Sequence, residues 1–101
     1  MNYSIFVVKI IEKPIKHYFK KNIFALEIKG QFFQIRGKKN KKTIRIFVWG
    51  NLASEILNYS QINKLIIVEG YISLHPQFSK NQKPLIKNEV QISARKVYSF
   101  P

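Results

Sequence analysis

Between positions 43 and 49 the chain reads TIRIFVW, and apolar and other positions alternate with period two. Ile44, Ile46 and Val48 point one way and Arg45, Phe47 and Trp49 the other, as in a strand with one face in a core. Gly50 stops that strand. Leu52, Ala53, Ile56 and Leu57 then recur at helical spacing, with Asn51 as N-cap and Glu55 in the first turn, which predicts a helix of about two to three turns. A second strand follows, from Lys64 to about Leu74.

The flanking segments extend this pattern. Residues 2–12, NYSIFVVKIIE, are rich in β-branched and aromatic types and close at Lys13-Pro14, where proline lacks the donor a ladder needs. They predict a first strand. A basic, aromatic connection, IKHYFKKN, leads into residues 23–36, where Phe24, Leu26 and Ile28 alternate with Ala25, Glu27 and Lys29 until Gly30 allows a bulge or bend. Residues 37–42, GKKNKK, predict a solvated hairpin loop before the strand at 43–49. A last strand is expected over 85–98, with HPQFSKNQKP as an exposed loop before it.

Three strands, one short helix and two further strands form the element order of an all-β, five-stranded Greek-key barrel, the OB fold, with its helix between strands three and four. An SH3-like barrel lacks that helix. At 101 residues there is room for one domain, 1–101. The apolar runs are far too short to cross a bilayer as helices, so no membrane partner is expected.

Charge narrows the function. Eighteen Lys and Arg against five Glu give +13, and so high a charge on a small body favours polyanions through counterion release. Nucleic acid is the leading partner, with Lys-rich codon drift as the plainer explanation. Fifteen Lys against three Arg, sixteen Ile, eight Asn and no Asp point to an AT-rich gene of plastid, apicoplast or endosymbiont kind. From the strand-like start without a leader pattern, the protein is expected to work where it is made, in a plastid stroma or a bacterial cytoplasm. No Cys is present, so disulfides, thiolate metal sites and Cys nucleophiles are excluded.

The segment Trp49-Gly50-Asn51-Leu52-Ala53, the helix after it and Ile66-Ile67-Val68-Glu69-Gly70 resemble the pattern of bacterial-type single-stranded DNA-binding proteins. Asn2 before an apolar strand, Pro14 and Tyr18 four residues apart, and Asn88-Glu89-Val90 add to the likeness, which covers nearly the whole chain. Carried over by position, the family's stacking aromatic falls on Trp49 and its strand-three arginine on Arg45. A further stacking position falls at or beside Phe78, and another on Phe32 or Phe33. The family's aromatic at the start of strand three falls near Thr43, which cannot stack, and its strand-one glycine is Val8 here. The resemblance implies sequence-tolerant binding of single-stranded DNA in replication, recombination or repair, and a homotetramer or dimer built partly through strand one. The end at Tyr98-Ser99-Phe100-Pro101 lacks the family's acidic tail, so recruitment of replication enzymes by such a tail is not expected.

The expected nucleic-acid contacts are therefore Trp49, Arg45, Phe47, Phe33, Phe32 and Phe78 for bases or the adjacent backbone, with Lys38, Lys39, Lys41, Lys42, Lys20 and Lys21 for phosphates. Each has a structural alternative: the rings could pack under a loop or at a subunit contact, and the lysines could keep sheet edges from aggregating. Tyr18 could stack or plug. His17 and His75 have no nearby carboxylates at ligand spacing, Glu69 suits a structural hydrogen bond, and no nucleophile elbow or Gly-rich phosphate loop occurs. No enzyme activity, metal or cofactor is expected. Single-stranded RNA is the nearest rival ligand. A primosomal accessory protein and a protein-interaction module of the same fold are the alternative functions.

Overall fold

The computed structural model describes residues 2–21, 23–33, 43–78 and 84–100, with the side chains of 3–21, 23–33, 43–74 and 89–100. Among the described residues six strands make one sheet: β1 (Asn2–Ile10), β2 (Ile15–Lys20), β3 (Ile23–Phe32), β4 (Thr43–Trp49), β5 (Leu65–Phe78) and β6 (Pro84–Ser99). A helix α1 (Gly50–Ile56) runs into a 3-10 turn (Leu57–Tyr59) between β4 and β5. The strand order is β1-β5-β6-β4-β3-β2, and β1 also pairs with β3, which closes the sheet on itself. All pairings are antiparallel except β4 with β6, the parallel neighbour a Greek-key connection creates.

The sixth strand is the segment IKHYFK, expected as a connection. It pairs with β3 from Ile15↔Glu27 to Lys20↔Ile23, with a register shift between Tyr18 and Lys20. All six of its residues are exposed, so it carries no buried stripe that alternation along the chain could display. The last hairpin is also longer than expected: β5 continues through His75 and Pro76 to Phe78, which pairs with Pro84.

Alternation decides what the barrel buries. In β4 the burial pattern puts Ile44, Ile46 and Val48 fully inside and leaves Arg45, Phe47 and Trp49 partly or fully exposed, as the period-two reading expects. Val8 and Ile10 from β1, Leu26 and Ile28 from β3, Ile66 and Val68 from β5, and Ile92 from β6 complete the interior, and Ala53 and Ile56 of α1 plug one end. Each such fully buried aliphatic side chain contributes about 1.5–3 kcal/mol relative to exposure.

Closure depends on a close approach. β1 pairs with β5 from Asn2 to Lys9 and with β3 from Val8 to Ile10, so Val8 and Lys9 are shared by both ladders. Ile10 faces Gly30, where a Cβ would meet Val8 Cγ1 and would come within 2.9 Å of the Lys9 carbonyl oxygen. Gly30 is thus the point where β1 crosses onto β3, rather than a bulge within β3.

The helix start differs from its expected form. Trp49 occupies the N-cap position with extended backbone, Gly50 has φ +65°, and no side chain caps the helix. Glycine takes that left-handed turn without the steric cost a Cβ brings. Because the helix begins at Gly50, one residue before the expected cap Asn51, no acidic residue lies in its first turn and Glu55 falls in the second.

Candidate nucleic-acid interface

The outward residues of β2, β3, β4 and β6 form one face, and the ladder registers place them in rows. His17, Ala25 and Trp49 make one row; Ile15, Glu27, Phe47 and Ser93 the next; Lys29, Arg45 and Gln91 the third. Phe19 reaches from the end of β2 over the first row and stacks on Trp49, with centroids 5.3 Å apart and planes 25° from parallel. Ala25 lies in the sheet between the two strands that carry them, and its methyl is small enough for the rings to meet. Phe19 is 59% and Trp49 51% exposed, so the pair stands on the surface, each ring covering one face of the other.

Charges occupy the middle of this face. Glu27 is 9% exposed; its Oε1 lies 2.8 Å from His17 Nε2 and its Oε2 3.7 Å from Arg45 Nε. Arg45 Nε also lies 2.5 Å from Glu89 Oε1. Arg45 is therefore held between two carboxylates, and Lys29 at the edge of the same row pairs with Glu12 at 3.4 Å. A guanidinium so placed ties β4 to β3 and β6.

The remaining expected contacts fall in different places. Phe47 is half-buried in the second row, beside Glu27 and Ser93. Of the two phenylalanines at the end of β3, Phe32 packs on Phe6 at 5.3 Å and against the core, whereas Phe33 is 48% exposed. Phe33 shares its parity with Ala25, about 25 Å further along the strand direction. Lys20 and Lys21 are exposed just after Phe19. Phe78 lies at the tip of the β5–β6 ladder, with its side chain outside the described set. Lys38, Lys39, Lys41 and Lys42 fall outside the described residues.

Phe19 belongs to the stretch Tyr18-Phe19-Lys20-Lys21, whose aromatic and basic composition suits a strand groove, and the fold sets it on Trp49. Tyr18 tilts over Phe24 at 5.7 Å, on the side of β2 opposite Phe19. Among the described residues no cluster of three His, Asp or Glu could hold a metal ion, and no helix is long and apolar enough to cross a membrane.

The face of β1, β5 and β6 is of another kind. Tyr3, Ile5 and Tyr98 are exposed there, Tyr3 meets Tyr71 edge-on at 4.9 Å, and Arg95 lies over the Tyr71 ring at 5.5 Å. The Tyr3 hydroxyl donates to Glu69 Oε1 at 2.8 Å, and this bond, with desolvation and the carboxylate charge behind it, raises the phenol above its ordinary pKa. Glu69 thus has the structural role expected of it. Tyr59 is raised too, first by desolvation and then by Glu55.

No protein-family model matches the chain. A protein of Trieres chinensis named "Putative single-stranded DNA-binding protein ycf41" is 40% identical over 101 residues, covering 99% of this chain and 89% of the relative. Among solved structures, the SSB domain of a Synechococcus protein superposes with a TM-score of 0.70 at 17% identity, covering 97% of this chain and 94% of that one. A small single-stranded DNA-binding protein of Streptomyces coelicolor gives 0.81 at 8% identity, covering 98% and 94%. These structural matches establish the barrel as the expected OB fold. With the full-length sequence match they show that the chain belongs to the bacterial-type single-stranded DNA-binding protein family, alongside ycf41.

Proposed function

We propose that this chain binds single-stranded DNA, as the names of its relatives state for them, and does so with little sequence preference on the face of β2, β3, β4 and β6. The stacked, surface-exposed pair Phe19–Trp49 carries the reading. Two rings held face to face outside the core offer open π surfaces to a base, and each base stacked on an aromatic is worth about 1–3 kcal/mol irrespective of its identity. Phe47 and Phe33 extend the path, Lys20 and Lys21 meet phosphates, and the lysines of the 37–42 segment add further cationic contacts. Arg45 serves as a brace within the face.

The same reading places the protein in replication, recombination or repair, without catalysis, and in the plastid stroma, in keeping with its ycf41 relative. The exposed Tyr3, Ile5 and Tyr98 on the opposite face favour a homo-oligomer. The test is a titration of the sole tryptophan's fluorescence with poly(dT) at several salt concentrations. Strong quenching is expected, with log affinity falling against log salt by about 0.7 per phosphate contact. Unchanged fluorescence and no binding at low salt would overturn the proposal. Matched RNA oligomers in the same titration decide between DNA and RNA.

A further inference from the structure

A second concave site lies away from the stacking face. Parity along β2 separates the two: His17 and Phe19 look onto the face of Trp49, while Lys16 turns to the other side, its ammonium 5.3 Å from the Phe24 ring centroid. There the β1–β2 connection, β2, the 3-10 turn and the following loop surround an open cavity of about 790 Å³, within the ~300–1,000 Å³ range typical of ligand sites. Its wall is fixed by backbone bonds. Asn63 N donates to the Ile10 carbonyl at 2.7 Å, Ile10 N to Lys64 at 2.9 Å and Lys64 N to Gln61 at 3.1 Å, and the Ser60 hydroxyl bonds back to Ile56 at 2.7 Å.

The lining has a definite chemistry. Lys13 and Lys16 supply two ammonium groups, Leu57 and Ile62 an aliphatic patch, and Asn58 and Gln61 two amides. Among the described residues no carboxylate lines the cavity, and the closest one in sequence, Glu12, is paired with Lys29. Ile62 is 51% exposed. No aromatic ring lines the cavity either, so it lacks the platform on which bases stack. Amides that can pair with peptide groups, beside an aliphatic patch and two cations, suit an extended acidic peptide carrying an aliphatic side chain. β2 adds to this, because it is an edge of the sheet and among the described residues pairs with β3 alone, leaving outer backbone groups for an added strand.

From this geometry we infer that the cavity between β2 and the 3-10 turn is a docking site for an acidic, aliphatic segment of a partner protein, separate from the strand-binding face. The site requires only the barrel, so its failure and that of DNA binding are independent.

The test uses the full chain and three fluorescein-labelled ten-residue peptides: alternating Asp and Leu, alternating Asp and Ser, and alternating Lys and Leu. Anisotropy should show saturable binding of the Asp-Leu peptide, at least about tenfold tighter than Asp-Ser, and none of Lys-Leu. Ile62→Ser should weaken Asp-Leu binding by at least about fivefold while leaving poly(dT) affinity within about twofold. Lys13→Gln with Lys16→Gln should weaken it by about tenfold or more. Amide NMR shifts on adding the peptide should concentrate at 13–16 and 57–62. Equal binding of Asp-Leu and Asp-Ser would reduce the effect to the general +13 charge and overturn the inference. Displacement of the peptide by a dT oligomer would do so as well, by assigning the cavity to the DNA path. Thermal melts of each variant separate loss of the site from loss of the fold.

Discussion

Arg45, expected from the chain as a nucleic-acid contact, is bracketed in the fold by two carboxylates, and its replacement makes a quantitative test. In Arg45→Ala the guanidinium between Glu27 and Glu89 disappears, while those carboxylates remain with side chains only 10% and 15% exposed. Breaking a fully buried ion pair costs about 3–5 kcal/mol because a charge is left uncompensated, and a fully exposed pair is worth about 0–1. Arg45 is 39% exposed, so water can partly replace it, and the expected cost lies between, at about 1.5–3 kcal/mol. For a domain of this size that lowers the melting temperature by roughly 6–24 °C. Thermal unfolding followed by circular dichroism at pH 7 reads it directly. Adding Glu89→Gln to Arg45→Ala removes one stranded charge and should restore about half of the loss or more. A fall of under about 3 °C in the single variant, or no recovery in the double, would refute the bracing role. Poly(dT) titration gives a second reading: the salt slope of Arg45→Ala should change by less than the ~0.7 of one phosphate contact, whereas Lys20→Ala should lower it by about that amount.

Three further expectations follow from the same geometry. Trp49→Ala should weaken binding of a fluorescein-labelled dT oligomer by about 5–150-fold, the loss of one stacked base, with little change in melting temperature because the ring lies outside the core. Gly70→Ala should destabilise the protein by about 2 kcal/mol or more, since the new Cβ would run into the Ser93 carbonyl oxygen and lie 2.9 Å from Ala94 Cα, as denaturant unfolding will report. Tyr3→Phe tests the phenol–Glu69 bond through pH: a raised folded-state pKa favours the protonated phenol, so the stabilisation is complete below the unfolded value of about 10 and is lost as pH rises through the raised value. The melting difference between parent and variant should therefore shrink to nothing at high pH, and a difference independent of pH would show that the bond contributes no linkage.

The elements legible in the chain were those with one face in the core. In β4, Ile44, Ile46 and Val48 declare their side by alternation, and the Gly50 stop with Ala53 and Ile56 declares the helix plug. β2 was hidden because both of its faces meet solvent, so it carries chemistry without a burial signature. The hairpin ends were hidden for a related reason: beyond the barrel wall β5 and β6 hold each other through backbone pairing, which His75, Pro76 and Phe78 do not announce by type. Trp49 stood out as an outward aromatic, but its partner Phe19 lies thirty positions earlier on the unrecognised strand. The carboxylates around Arg45 were equally invisible. Glu27 had outward parity in β3, yet only the register Glu27↔Phe47 and the parallel pairing of β4 with β6 bring it and Glu89 to the same guanidinium.

The way β1 is shared between two ladders also governs how the chain can be made. Its partners are Leu65–Ile72 in β5 and Gly30–Phe32 in β3, and the larger ladder, from Asn2↔Ile72 to Lys9↔Leu65, joins the first strand to one synthesised much later. At roughly 5–20 residues per second, several seconds pass on the ribosome before Phe6 and Val8 can find Val68 and Ile66. Until then β1 has only Gly30–Phe32 of β3 to pair with, at Val8 to Ile10, and Lys9, Lys13 and Lys16 stand as charged guards along and after its apolar run. Closure of the barrel therefore waits on β5, and the strand that opens the chain is among the last to complete its pairing.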